Sequence, residues 1–409
     1  MKPLLVIVMM LSTWSLQAQQ PQTMKLEKLL ELVKEKSPIL KVGQLQEKYY
    51  TALKGTARDI PKTQLVTELG NYNSFNFDSR VSILQPFSAG IVYRKQELVL
   101  NSYLNAAEAN TVIQQQVLEK IVRQLYLELQ YLMARKKVLE RADSVYGSFQ
   151  RVAQLRFEKG ESNLLEKTTL DNQVMQNRQM MQMNVSDRKA IQLELALLLQ
   201  DAITIVPADE LVTVQQLYDT ALLQQHPELQ YYKAQEQQAA AETQLAKAKL
   251  RPEWLIGYNN QSLMGWMEYK NRSERFFTAG DRFSSVTLGM SIPFFNKAQK
   301  AKVEAANVQE QVNRANTDIA ALRLKTQLQQ ALQHRDKFNS SLTYFKNSAL
   351  PQSNIIIQTA NLNYKNGQIS YIEWATLVNQ ALGIQMQYAD VQRDHQLNEI
   401  QLDYLLQKN

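Results

Sequence analysis

Two kinds of hydrophobic periodicity alternate along this chain, and each occurs twice. Residues 24–58 place Leu26, Leu29, Leu30 and Val33 at i, i+3, i+4 and i+7, the spacing of one face of a helix. Residues 214–250 correspond in the second half, where Leu217, Ala221 and Leu222 precede His226-Pro227. Each helical stretch runs into a proline and then into two segments of period two. In the first half strands are expected at 64–72 and 75–85, with Phe75, Phe77, Val81 and Ile83 on alternate positions. In the second half they are expected at 253–261 and 283–292, with Val286, Leu288, Met290 and Ile292 alternating with small or polar residues. Such strands fit a transmembrane barrel or a half-buried soluble sheet.

Helical patterning then resumes and persists. Between Pro86 and Pro207 there is no proline and only Gly90, Gly147 and Gly160. The stretch from Ser88 to Gly160 can therefore form one helix of about 108 Å, at about 1.5 Å per residue. Residues 161–200 return along it. The second half repeats the plan: 296–366 descends, Gly367 turns and 368–408 returns. Pro351 stands near the counterpart of Val145 and Gly147, so a helix irregularity is expected in both copies.

The two halves share residues as well as pattern. A shift of 207 carries Ala153, Leu155, Gly160, Glu166, Thr169, Leu170, Asn172 and Gln173 onto Ala360, Leu362, Gly367, Glu373, Thr376, Leu377, Asn379 and Gln380. It also carries Pro86-Phe87 onto Pro293-Phe294. A shift of 206 carries Ala109-Asn110-Thr111 onto Ala315-Asn316-Thr317, so a one-residue indel separates the registers. The period is too long for a solenoid unit and marks a duplicated half-molecule. The expected organisation is a first repeat at 19–200, a linker at 201–213 around Pro207, and a second repeat at 214–409.

Residues 1–18 read as an export signal: Lys2, an apolar run from Leu4 to Trp14, then Ser15-Leu16-Gln17-Ala18. That run is too short to cross a bilayer core of about 30 Å. The 409 residues include no Cys, which excludes disulfides, thiolate metal sites and cysteine lipid anchors. The formal charge of +7 is dispersed among acids, with no basic run longer than Arg135-Lys136-Lys137, which argues against nucleic-acid binding. His226, His334 and His395 have no metal-ligand spacing, and no phosphate loop or nucleophile elbow is present, so neither a metal nor an enzyme is expected. Met175, Met180, Met181 and Met183 suit packing better than a soft-metal path. The segment Gln261–Arg282 is longer than its counterpart and reads as an outward loop, with Trp266 and Tyr269 at a lipid interface.

Four strands cannot close a membrane barrel, and open edges are not tolerated in hydrocarbon. If they span a membrane, several copies must share one barrel, with their helices packed side by side.

The signal, the two halves, the paired strands and the long hairpins together resemble the outer-membrane efflux protein family, the TolC-like channels. The turn motif is the most specific part: Phe157-Glu-Lys-Gly160-Glu-Ser-Asn-Leu-Leu-Glu166 and Tyr364-Lys-Asn-Gly367-Gln-Ile-Ser-Tyr-Ile-Glu373. Each copy has an aromatic, a Gly three later and an acid six after the Gly. The resemblance covers the whole mature chain. It implies a mainly α protein with a small transmembrane β-part. In that fold a long α-helical barrel is continuous with a 12-stranded β-barrel shared by a homotrimer.

The implied activity is passive conduction without a cofactor, from the periplasm across the outer membrane. An inner-membrane pump of the RND type and a periplasmic adaptor (membrane fusion protein) would be the partners. By position, Gly160, Glu161, Ser162, Gly367, Gln368 and Ile369 would be the adaptor-docking turns. Glu373 would narrow the pore, with Glu166 and Tyr364 bonding between helix pairs to hold it shut. Thr376 departs from the family, where a second acid is frequent. An acid near a helix N-terminus is also favoured by the macrodipole alone. Two other functions remain open: a soluble periplasmic scaffold or adaptor, and an exit channel for secreted proteins.

Overall fold

The computed structural model describes residues 22–72, 75–211, 218–269 and 273–407. The export signal at 1–18 lies outside the described residues. The order is β1 (Gln22–Met24), α1 (Leu26–Lys36), α2 (Pro38–Leu53), β2 (Gln64–Gly70), β3 (Asp78–Phe87), α3 (Gly90–Glu158), α4 (Leu164–Leu199) and β4 (Ile205–Pro207). There follow α5 (Pro227–Ala248), β5 (Glu253–Ser262), β6 (Gly265–Tyr269), β7 (Ser273–Phe277), β8 (Arg282–Ser291), α6 (Lys297–Tyr344), α7 (Leu350–Lys365) and α8 (Tyr371–Leu406). No described helix is long and apolar enough to cross a membrane.

The four expected strands form one antiparallel sheet in the order β2-β3-β5-β8. Its register puts Leu65, Ile83, Tyr258 and Val286 in one row on one face. Ile256 and Leu288 stand in the next row on that face, and Trp254 and Met290 in the one after. All of these side chains are exposed, Val286 at 71% and Leu288 at 78%. The opposite face is mixed but mainly polar: Val66, Ser82, Asn259 and Ser285 form one row, Glu68, Arg80, Gln261 and Phe283 another, and Leu84 and Leu255 lie nearer the helices. There Arg80 donates to Glu68 and Gln261, both at 2.8 Å. Ten-residue strands at about 3.3 Å per residue and a tilt of about 40° cover the roughly 25 Å apolar band of an outer-membrane barrel. Exposed Trp254, Phe294 and Phe295 mark the end of the sheet nearest the helices, and Phe75 and Phe77 the far end. The edges β2 and β8 are unpaired in the single chain.

Beyond the far end, the segment read as a loop forms a second hairpin, β6 against β7. Buried Asp78 ties it down, accepting from Ser262 Oγ at 3.0 Å and Met264 N at 2.9 Å. Trp266 is exposed and packs edge-on against Phe276.

On the helical side, α3 is a single helix of 69 residues, about 100 Å long. It is continuous through Val145 and Gly147, so the irregularity expected in the first copy is absent. The second copy has one: Phe345–Ala349 form a π-helical turn just before Pro351. A π-turn is how an α-helix accommodates one extra residue. It sits between the segment in register at 206 and the segment in register at 207, and so absorbs that indel. Without an N–H, Pro351 leaves a carbonyl of the preceding turn free, and the wider π-turn accommodates this.

The helix expected over 214–250 is shorter than its pattern suggested. It starts at Pro227, preceded by a 3₁₀ turn at Thr220–Gln225. Pro227 ends any earlier helix at His226 and begins a new one, with His226 Nδ1 accepting from Glu228 N at 3.2 Å. Residues 212–217, including Leu217, lie outside the described residues. The link between the halves also acquires structure, since β4 pairs in parallel with β1. That small sheet packs with Leu29, Val33, Leu118, Val122, Leu195 and Leu199 midway along α3.

Duplication is visible in the backbone. Helices α4 and α8 both end on glutamines in the left-handed region, Gln200 at φ 51° and Gln407 at φ 53°. These positions again differ by 207.

Candidate functional site

The two helical hairpins end side by side, farthest from the sheet, and both turn in the same way. Gly160 and Gly367 each have φ +71°. Each follows the last helical residues in a Schellman arrangement. Gly160 N donates to Phe157 O at 3.0 Å and Glu161 N to Arg156 O at 2.8 Å. Gly367 N donates to Tyr364 O at 3.1 Å and Gln368 N to Asn363 O at 2.8 Å. Nothing lies within 4 Å of where a Cβ would stand on either glycine. The requirement for Gly is therefore conformational rather than steric.

Three residues later the next helix is capped. Asn163 Oδ1 accepts from Glu166 N at 2.9 Å, and Ser370 Oγ from Glu373 N at 3.3 Å. The repeated motif is thus first a building instruction. Gly ends one helix, Asn or Ser starts the next, and Glu occupies the third helical position. Glu161, Ser162, Gln368 and Ile369 fill the turns between.

The two glutamates then differ. Glu373 folds back on its own helix and closes a capping box, accepting from Ser370 N at 2.8 Å and Ser370 Oγ at 2.9 Å. Those two donors hold its exposed carboxyl below the usual carboxylate range. Glu166 makes no such box. It instead accepts a short hydrogen bond from the Tyr364 hydroxyl of the other hairpin. Arg156 joins them, donating to Tyr364 Oη at 3.3 Å and standing 3.9 Å from Glu166 Oε1. Burial and the Glu166 carboxylate push the Tyr364 phenol up to about 12, so it remains a donor at neutral pH. The structure therefore brings Glu166 and Tyr364 together and leaves Glu373 apart, on its own cap.

Behind this cluster lies an aromatic core that the sequence reading missed. Trp374 is fully buried, with Phe149, Tyr364 and Tyr371 at ring-centroid distances of 4.3, 5.7 and 5.7 Å. Its indole N–H donates to Asn361 at 2.8 Å. One helical turn higher, Tyr146 donates to Asn379, which also accepts from Gln173 at 3.3 Å. The first hairpin supplies Phe149, Tyr146 and Gln173, and the second supplies Trp374, Tyr364 and Asn379. This core joins the two hairpins within one chain. One signal could have exposed Arg156: the copies differ there, Arg against Asn363, as they differ at Tyr364 against Phe157.

No cluster of His, Cys, Asp or Glu among the described residues could hold a metal. The Met175–Met183 group is partly exposed along α4, with Met175 and Met183 outward.

No family model matches the sequence, and no curated protein matches it. Solved structures do match in fold. The outer membrane protein VceC from the bacterial pathogen Vibrio cholerae aligns over 93% of this chain and 95% of its own, at 16% identity and TM-score 0.77. The outer-membrane channel OprN aligns over 94% and 90%, at 15% identity and TM-score 0.80. The open state of the Neisseria gonorrhoeae MtrE outer membrane channel aligns over 93% and 88%, at 15% identity and TM-score 0.74. At these identities the fold is what is shared. It extends over nearly the whole length of each chain, from strands to hairpin tips.

Proposed function

We propose that three copies of this chain form an outer-membrane exit duct, with most of the chain in the periplasm. Each copy would contribute β2, β3, β5 and β8 to one closed 12-stranded barrel, leading into a ring of six helical hairpins. The observation that carries this reading is the sheet. One face carries a band of exposed apolar side chains, the other is mainly polar and hydrogen-bonded, and both edges of the described sheet are unpaired. In water such a face would be a large sticky patch, and in a bilayer each open edge would be costly. Closing the edges on other copies satisfies both demands, and the fold it shares with known outer-membrane channels supports the same assembly. The exposed apolar face disfavours the soluble scaffold.

The duct would be passive. Small molecules or metal ions would be delivered by an inner-membrane pump of the RND type through a periplasmic adaptor docking at the turns around Gly160 and Gly367. The tip would be its gate, held by Tyr364–Glu166–Arg156, with three Glu373 carboxylates giving a cation-attracting ring. Purified protein in planar bilayers tests this. The reading expects discrete cation-preferring channels from a detergent-extracted oligomer. A protein released without detergent that forms no channels would contradict it.

A further inference from the structure

Residues 202–207, in the link between the two halves, close one end of a groove between α3 and α4. Its volume is about 770 Å³, within the range of small-ligand sites, about 300–1,000 Å³. Gln192 of α4 pins this strap. Its side-chain amide donates to Ile205 O at 2.6 Å and accepts from Ile205 N at 2.8 Å. On the strap's other edge, β4 pairs with β1. The groove is therefore built into the fold. All the residues lining it belong to the first hairpin and the link, so it is complete in one chain.

Its two ends differ in chemistry. The register of the helices is fixed by Asn177 Nδ2, donating to Leu139 O at 3.1 Å, and Asn184 Nδ2, donating to Leu132 O at 3.0 Å. That register sets Leu193 and Ala196 at the end nearer the sheet, where Ile203, Ile205 and Pro207 of the strap complete an apolar lining. Lys136 and Lys137 stand at the end nearer the tip, with Arg188 and Lys189 between. These cations share the lining with a single acid, Glu140. Lys136 pairs with Glu140 at 3.1 Å and Lys137 with Glu210 at 2.7 Å. Arg188 and Lys189 have no carboxylate partner among the described residues, and Arg188 Nε is buried without a hydrogen bond. A buried donor left unpaired is costly, the more so on a charged group. Packing does not demand these cations. At the equivalent positions, 207 residues on, stand His395 and Gln396, and His395 is buried beside Asn339.

We propose that the groove binds a fatty acid, with its alkyl chain under the strap and its carboxylate on Arg188 and Lys189. The apolar end holds the chain by removing it from water, and a guanidinium matches a carboxylate through paired hydrogen bonds. Leu129, in the lining, lies about 60 Å along α3 from its start at Gly90, at about 1.5 Å per residue. A lipid held in the bilayer around the sheet cannot reach that far, so the ligand is a single molecule free in the periplasm. This last step rests on the duct reading above.

The test uses parinaric acid, a fluorescent fatty acid, added to the purified full-length particle in amphipol, with amphipol alone as the blank. Palmitate, dodecyltrimethylammonium and inorganic phosphate are the competitors. Saturable binding at one site per chain is expected, displaced by palmitate but not by the cationic amphiphile or by phosphate. The double variant Arg188→Gln with Lys189→Gln should weaken binding at least about tenfold, the factor carried by a charge-assisted hydrogen bond. Ala196→Phe, which fills the apolar end, should abolish it. Particle mass and thermal unfolding, read on the same samples, establish that each variant is folded. A particle of trimer mass with no saturable binding would overturn the inference and leave the duct reading standing; a groove covered by a neighbouring copy would give that result. Unchanged affinity in the folded double variant would also overturn it, as would displacement by dodecyltrimethylammonium as effective as by palmitate. A single chain released without detergent would instead defeat the duct reading, and the periplasmic source with it.

Discussion

Tyr364 and Glu373 show how one repeated motif comes to do two jobs. The Tyr364 hydroxyl is buried and bonded to a carboxylate and a guanidinium. Tyr364→Phe removes that donor and is expected to cost the closed tip about 1.5–3 kcal/mol, seen as more frequent opening in single-channel records. The pH dependence follows from the raised phenol. With a folded value of about 12 against an ordinary 10.0, its contribution is complete below pH 10 and is lost as pH rises toward 12. Thermal unfolding of Tyr364→Phe should accordingly be less alkali-sensitive than that of the parent over this window. Glu373 is a different case, because its charge and its cap can be separated. Glu373→Gln keeps a carbonyl to accept from Ser370 but removes the charge, whereas Glu373→Ala removes both. If the carboxylate ring sets cation preference, reversal potentials in a salt gradient should shift equally in the two variants, while only Ala should destabilise the tip.

At the scale of elements, the turns and strands were legible and the packing was not. Gly160, Asn163 and Glu166 announce a helix end and a helix start within seven positions, and alternation fixed the sheet's two faces. The aromatic core could not be read, because Phe149 and Trp374 lie on different hairpins and nothing local says that their faces meet. The π-turn was half legible. Pro351 and the change of register from 206 to 207 both mark it, but symmetry wrongly suggested an irregularity near Gly147, where no proline forces one. The missed hairpin β6–β7 lies in a segment where alternation is short and interrupted by Gly265. Two measurements belong here. Gly160→Ala places a Cβ in the left-handed region and should cost about 1–2 kcal/mol by thermal unfolding, despite the empty space around it. On the sheet, Leu288→Arg should cost about 2–4 kcal/mol of stability in a bilayer, while Ser285→Arg, on the opposite face, should be tolerated.

For the whole molecule, every functional inference depends on the sheet being one part of a larger closed one. The single chain leaves β2 and β8 open and one face apolar, and these two features are explained together if copies assemble around an axis in a membrane. The most direct test is the protein mass of the particle extracted from membranes, measured by light scattering with the detergent contribution subtracted. Three chains per particle are expected, released only by detergent. A single chain recovered in aqueous buffer would contradict it, because the strands would then never meet lipid and no shared duct could form.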